Sequence, residues 1–530
     1  MSSLKIVGQE AHDHSHGEES GACKLQPEVH VLVTDKGPVD LGSVNPRNFS
    51  GRAAIVTLGC AKNHVDSEVM LGVLTKRGFE IVSDIKEADV AIVNTCGFLQ
   101  SAVQESIDCI LEIAELKKTG RLRKLVVAGC AVERYSDPSG KNGSIQEALP
   151  EVDRFISVNQ ILEVAEAANI SGDGTSIGNG IDQVLEAAAR PYFLYDDTMP
   201  RQLATKSHMA YVKVGEGCNR PCTFCIIPKI RGTMRSRTVD SVVREVHALS
   251  QMGVREVNLV AQDLTSYGLD LKKEDGTSSR QLTELLQALD ASKAVDWIRL
   301  LYAYPIGIDE ALLDAIRDLP RVVEYLDLPL QHASEAVLAR MKRPLGRYSP
   351  RKIVELIRRR APQLALRTTF IVGFPGETDA DIKELETFIR EGHFASVGIF
   401  TYSPELGTPA HDLEDQVPER SKKSRRDRLM KAQQEILTSR MNALIGQQIQ
   451  VLIEGSHEET ELLVVGRARF QAPEVDGIVI INDAEGLLGG ESLQMALQPG
   501  SMVTVEVTEV AGYDLIGRVV ARDSKAPLAA

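Results

Sequence analysis

The stretch MAYVKVGEGCNRPCTFC, residues 209–225, runs an apolar strand-like segment directly into three cysteines. Cys218, Cys222 and Cys225 follow the pattern C-x-x-x-C-x-x-C. The chain holds eight cysteines in 530 residues, so a given cysteine meets both partners by chance only about twice in ten thousand. The spacing lets three thiolates converge from one loop. A cubane four-iron cluster takes four cysteine ligands, so three leave one iron open. An open coordination position suits a site that binds substrate. Zinc is the rival, but it uses paired C-x-x-C knuckles or a histidine, and neither flanks this loop.

Outward from this loop, residues 206–440 alternate strand and helix. Six strands are expected: MAYVKVGEG (209–217), REVNLVAQD (255–263), DWIRLLYAYP (296–305), EYLDLPLQH (324–332), LRTTFIVGFP (366–375) and SVGIFTYSP (396–404). Helical patterns such as SVVREVHALSQMG (241–253) and DIKELETFIREG (381–392) separate them. Six such units predict a curved parallel sheet, a partial (βα)6 barrel, since a closed barrel needs eight. Gln262 and Asp263 end the second strand, and Gly373 and Glu377 end the fifth. Parallel sheets place ligand contacts at that carboxyl edge, although an ordinary tight turn would also carry these residues.

Upstream, residues 50–165 show a shorter version of the same rhythm. AAIVTLGC (53–60), DVAIVNTCGF (89–98) and KLVVAGC (124–130) are apolar runs, with helices at 65–78 and 101–118 between them. This predicts a doubly wound parallel α/β domain. Cys60, Cys96 and Cys130 each end one of those strands. Parallel strands bring their C-terminal ends to one edge, about 4.8 Å apart, so the three thiols become neighbours and predict a second three-cysteine iron–sulfur site. A lone strand-end cysteine would be read as core. Cys109 lies within a helix beside Ile107, Ile110 and Leu111 and is expected to pack in the core, while Cys23 is expected to be an idle thiol.

The remaining segments have different characters. Residues 1–48, with HDHSH at 12–16, read as a disordered tail. Residues 170–205 contain SGDGTSIGNG (171–180) and read as a linker, one that would let the two cysteine-bearing domains shift against each other. PERSKKSRRDRLMKAQQEILTSRMNAL (418–444) reads as a long basic helix whose charges solvate a surface joining two domains. Residues 445–525 alternate as strands and turns and predict a small all-β barrel of OB-like size. The fold class is therefore α/β with a terminal β-barrel.

Lys and Arg number 60 against 74 Asp and Glu, a net charge of −14, so bulk charge does not favour a nucleic-acid partner. No window of about 18 apolar residues points to a membrane, and the N-terminus lacks the apolar core of a secretory signal. Cysteines so few fit thiols, metal ligands or catalysts of a reducing cytosol. Nothing demands more than a monomer.

The cysteine loop on the first strand of a six-unit domain resembles the radical S-adenosylmethionine (SAM) superfamily, although no G-G-E run follows the second strand. With TLGCAKNHVDSE (57–68), VNTCGF (93–98), YLDLPLQHAS (325–334) and the terminal barrel, residues 50–525 resemble the methylthiotransferase family, whose barrel is a TRAM domain. The resemblance implies two 4Fe-4S clusters, on Cys60, Cys96 and Cys130 and on Cys218, Cys222 and Cys225. It implies SAM on the open iron, with Phe224, Gln262, Asp263, Gly373 and Glu377 as SAM contacts. A reduced cluster would cleave SAM to a 5′-deoxyadenosyl radical, the N-terminal cluster would hold or supply sulfur, and a second SAM would donate methyl. An electron donor such as flavodoxin or ferredoxin is implied.

Two branches of the family compete. One modifies an adenosine beside the tRNA anticodon, and the other the β-carbon of an aspartate in ribosomal protein S12. TLGCAKNHVDSE and LVAQDLTSYG are more similar to the protein-modifying branch, because tRNA enzymes more often show GC-Q-M-N and GQN-type runs. Charge points the same way. Residues 441–530 hold five Lys and Arg against thirteen Asp and Glu, a net −8. RNA binding needs cations to displace counterions, whereas an acidic module complements a basic ribosomal protein. Phe470 in RARFQAP is the one residue placed to stack on a base, if it does not fill the barrel.

Overall fold

A computed structural model describes residues 30–32, 51–136, 144–170, 193–272, 280–484 and 492–522. The histidines at 12–16, Cys23 and the glycine-rich stretch 171–180 lie outside the described residues.

The N-terminal domain is one parallel sheet of five strands, β1 (Arg52–Thr57), β2 (Glu80–Ile81), β3 (Val90–Thr95), β4 (Lys124–Gly129) and β5 (Arg154–Ile156). Their order is β2-β1-β3-β4-β5. The three long strands are the three apolar runs, and every residue of β3 is buried because helices cover both faces. The edge strands β2 and β5, of two and three residues, are too short to show a period.

Helix α1 (Ala61–Lys76) departs from its expected form. Its spacing promised one solvent face, yet Ala61 through Leu74 are all buried. One side packs on its own sheet, and the central domain covers the other. The polar residues Lys62, Asn63, Asp66 and Glu68 therefore lie in a domain interface. Helix α2 (Gln100–Thr119) is ordinarily amphipathic, with Cys109 buried among Ile110, Ile113 and Ala114.

The central domain is a six-stranded parallel sheet in sequential order: β6 (Met209–Lys213), β7 (Glu256–Val260), β8 (Trp297–Leu300), β9 (Val322–Asp327), β10 (Ala365–Val372) and β11 (Ser396–Thr401). Helices pack outside it through leucine and isoleucine faces, joining strands in a single core. The sheet is open, so this is a partial barrel.

The C-terminal strands β12 (Gln448–His457), β13 (Thr460–Ala468), β14 (Val479–Asp483), β15 (Met502–Ala511) and β16 (Asp514–Arg522) close into a small barrel. The single run expected over 501–520 is a hairpin, with Ala511 opposite Asp514. The segment after β13 reaches into the central sheet. Arg467 pairs with Glu256 and Glu454, the Tyr211 hydroxyl donates to Glu474 (2.9 Å), and the Tyr325 hydroxyl donates to Asp476 (2.7 Å). Phe470 is half-buried in the seam between the two domains.

Two expected connectors are packed structure. Residues 193–205 bury Tyr195 and Arg201 against the central domain, and Arg201–Leu203 pairs antiparallel with His30–Leu32. Ion pairs rather than apolar periodicity hold this segment, which is why it read as linker. The long helix Glu419–Asn442 buries Leu429, Ala432 and Met441. Its Arg425 and Arg428 bind Glu377 and Glu386, tying the helix to the central domain.

Candidate functional site

Parallel register brings the N-terminal cysteines together. Thr57 pairs with Asn94 on the next strand, and Thr95 pairs with Gly129 on the one after. The chain thus leaves β1, β3 and β4 at one level, and Cys60, Cys96 and Cys130 stand just beyond. In the order 2-1-3-4-5 the gap between β1 and β3 is the point where the helices switch faces, the usual crevice for a ligand. Asn63 ties the loops together, its amide donating to the carbonyls of Leu58 (2.9 Å) and Thr95 (3.0 Å).

Glycines permit this crowding. Gly129 has φ +98°, and a Cβ there would lie 2.3 Å from Asn94 Oδ1 and 2.8 Å from the Thr95 carbonyl oxygen. Gly129→Ala is therefore expected to strip the N-terminal site of its iron while the 218–225 loop keeps its own. It should also cost about 1–3 kcal/mol of stability from forced backbone strain, checked by iron analysis and thermal unfolding.

The second trio lies at the C-terminal end of β6. Its loop is pinned by backbone bonds, with the Cys218 N–H donating to Gly232 (3.0 Å) and the Thr223 N–H donating to Met341 (3.1 Å). Arg220 N–H faces Cys218 Sγ at 3.4 Å, and the Arg343 guanidinium faces Cys222 Sγ at 3.8 Å.

The thiols within each trio act electrostatically on one another. Burial pushes Cys96 up to about 12, and the charges of Cys130 and Cys60 push the same way. Burial likewise raises Cys225 to about 12 and Cys218 to about 11, with Cys222 adding to both. Thiols so reluctant to ionise alone become ligands when a cationic group replaces their protons. Among the described residues, no three His, Cys, Asp or Glu side chains converge as ligands of a single metal ion would.

The two trios share an interface. The short helix α3 (Ile227–Arg231), which begins just after Cys225, packs Ile226 and Ile230 against Cys130. From its end, Arg231 donates to Cys130 Sγ (3.1 and 3.3 Å) and pairs with Asp66 and Glu216, each at 2.9 Å. Lys213 joins the same two carboxylates. Burial raises the Glu216 carboxyl, but Arg231 and Lys213 outweigh it and hold it near 2. Arg134 adds a buried pair with Glu405 at 2.8 Å. Interlocking buried charges join the two domains along this interface. Sequence reasoning passed over Arg231, Asp66 and Glu216. Their only signal was charge at strand and helix positions that a single amphipathic face does not explain.

Three family models match the chain: the uncharacterized protein family UPF0004 over residues 52–156, the radical SAM superfamily over 212–389, and the TRAM domain over 445–520. The chain is 45% identical to the ribosomal protein uS12 methylthiotransferase RimO of Anaeromyxobacter sp. strain K over 478 residues, 89% of this chain and 94% of that protein. It is also 45% identical over 472 residues to the protein of the same name from Syntrophotalea carbinolica, covering 88% and 97%. The chain belongs to the RimO family. A solved structure of the methyltransferase TsrM from Kitasatospora setae is 14% identical, with a TM-score of 0.48 over 66% of this chain and 72% of that one.

As a RimO-family radical SAM protein the chain uses SAM and 4Fe-4S clusters, and both trios fit that requirement. Around Cys218, Cys222 and Cys225 the expected SAM contacts divide. Gln262 is half-buried just past the strand end. Phe224 is half-buried against Phe374 and Tyr402. Gly373, with φ +75°, donates its N–H to both oxygens of Glu377 (2.8 and 2.9 Å). That carboxylate is fully buried and also pairs with Arg425, so it braces the turn. Asp263 is similarly engaged: it pairs with Arg220 at 2.6 Å and accepts from the Thr265 and Ser266 hydroxyls. In this structure the two carboxylates brace the turn after β10 and hold Arg220.

Among the described residues, no helix is long and apolar enough to cross a membrane.

Proposed function

We propose that this chain methylthiolates the β-carbon of an aspartyl residue in ribosomal protein uS12. Cys218, Cys222 and Cys225 would hold the cluster that binds SAM, and Cys60, Cys96 and Cys130 the cluster that delivers sulfur. When bound, these groups supply the radical that removes an unactivated hydrogen, the inserted sulfur and the second SAM's methyl, chemistry beyond any side-chain acid or base. The chain's own residues exclude water, hold the two sites on facing domain surfaces and admit the target between them. The observation that carries the reading is Arg231, which starts from the helix after Cys225 and ends on Cys130 Sγ.

Electrons come from a flavodoxin- or ferredoxin-type donor, and the protein works as a cytosolic monomer. The barrel supports a protein substrate. Arg467, Arg469 and Arg518 are each paired with a glutamate, so the acidic module has few cations to offer phosphates. Anaerobically reconstituted enzyme supplied separately with uS12 and with tRNA tests the assignment. A methylthio group on uS12 supports it, and modification of tRNA alone overturns it. Absence of 5′-deoxyadenosine on reduction would mark a non-enzymatic iron–sulfur protein.

A further inference from the structure

We infer that Lys62 is a specificity-determining residue that receives the carboxylate of the target side chain. This inference rests on the uS12 reading above. Lys62 stands two residues after Cys60, in the first turn of α1, and is only 4% exposed. Among the described residues its ammonium has no hydrogen bond and no carboxylate at ion-pair distance, and it rests 3.3 Å from the centroid of the Tyr302 ring. The buried cations around it are all matched. Lys213 and Arg231 share Asp66 and Glu216, Arg201 binds Glu68 and Glu245, and Arg367 binds Asp327. The charges of Cys60, Glu216 and Asp327 act on it without pairing with it, and an aromatic face compensates a buried cation only in part. In a network that matches its neighbours so fully, the open ammonium marks a place for an incoming anion.

Position says which anion. Tyr302 lies just past the C-terminal end of β8, with φ +64° and its N–H donating to Asp327 (3.2 Å). Lys62 thus comes from the domain of Cys60 and meets the carboxyl edge of the sheet that bears the 218–225 loop. An aspartate's reacting β-carbon is bonded to its carboxyl carbon. Holding that carboxylate on Lys62 places the β-carbon within one bond of a fixed point between the two cysteine trios. A neutral target, whether an amide or a nucleobase, leaves the ammonium unmatched and is rejected on that ground.

The test compares two synthetic peptides carrying the target segment of uS12, one with the aspartate and one with asparagine in its place. Each is titrated into the anaerobic holoenzyme and followed by fluorescence anisotropy. Wild type is expected to prefer the aspartyl peptide by at least about tenfold, the loss that follows when a buried charge stays unpaired. Lys62→Met and Lys62→Gln should bring the two affinities together by weakening the aspartyl peptide, and Lys62→Arg should restore most of the preference. Iron content and thermal midpoint identify any variant that has simply misfolded. The measurement on unaltered enzyme stands without variants: equal affinity for the two peptides overturns the role of Lys62 and leaves the uS12 reading intact. Retention of the preference in Lys62→Met overturns it too. Binding of neither peptide by wild type would overturn the uS12 reading itself.

Discussion

Cys222→Ala is expected to reduce SAM cleavage to background, while Cys96→Ala continues to release 5′-deoxyadenosine but yields no methylthio product. The asymmetry follows from the placement of the two trios. Cys222 lies in the loop at the end of β6, and on the reading proposed above the loss of one of three ligands leaves the SAM-binding cluster without a stable mount. Cys96 follows β3 in the other domain, where the loss removes the sulfur source without touching the SAM-binding loop. Anaerobic iron and sulfide analysis on each variant, with quantified 5′-deoxyadenosine and mass spectrometry of uS12, separates the two. Loss of SAM cleavage in both variants equally would sink the division of labour, as would zinc in place of iron.

Arg201→Ala should produce the largest loss of stability. Arg201 is fully buried and binds Glu68 at 2.5 Å and Glu245 at 2.5 Å. Arg237 holds the other side of Glu245, but among the described residues Glu68 has no second cation and would keep only the Ala204 and Thr205 N–H donors. Truncation therefore strands a carboxylate between α1 and the central domain, at a cost of about 3–5 kcal/mol. Chemical denaturation is the measurement, and a loss below about 1 kcal/mol would show that water fills the gap. The same interface sets an acid limit. Glu216 titrates near 2 in the folded chain against an ordinary 4.5. Its contribution is fully present above pH 4.5 and disappears as pH falls toward 2. Unfolding midpoints measured across that window should fall with acidification, and Arg231→Gln should flatten the dependence by removing a cation that depresses this carboxyl.

The cysteines and the large sheets were legible because their signals are local and repetitive. Three strand-end thiols at similar intervals, and three more within one loop, each needed only the parallel-sheet rule to become a site. All six central strands lie where their apolar runs placed them. What escaped was held by pairing rather than pattern. The edge strand Glu80–Ile81 is too short for a period, and residues 193–205 fold because Tyr195 and Arg201 enter an ion network composed from three segments. Asp263 and Glu377 lie just past strand ends, but position alone could not show their bonds to Arg220, Gly373 and Arg425. Lys62 was invisible for a similar reason, since a lysine in the first turn of a helix ordinarily faces water.

The contrast between a one-loop trio and a three-strand trio also bears on maturation. Residues 218–225 bring their sulfurs together within eight positions, so that loop can capture iron on a nascent chain. Cys60, Cys96 and Cys130 become neighbours only after β1, β3 and β4 have assembled, and the helix ending in Arg231 then covers Cys130. We expect a biogenesis factor to load the amino-terminal site in the interval between those events, and a chain that docks before it is charged to stay half-matured.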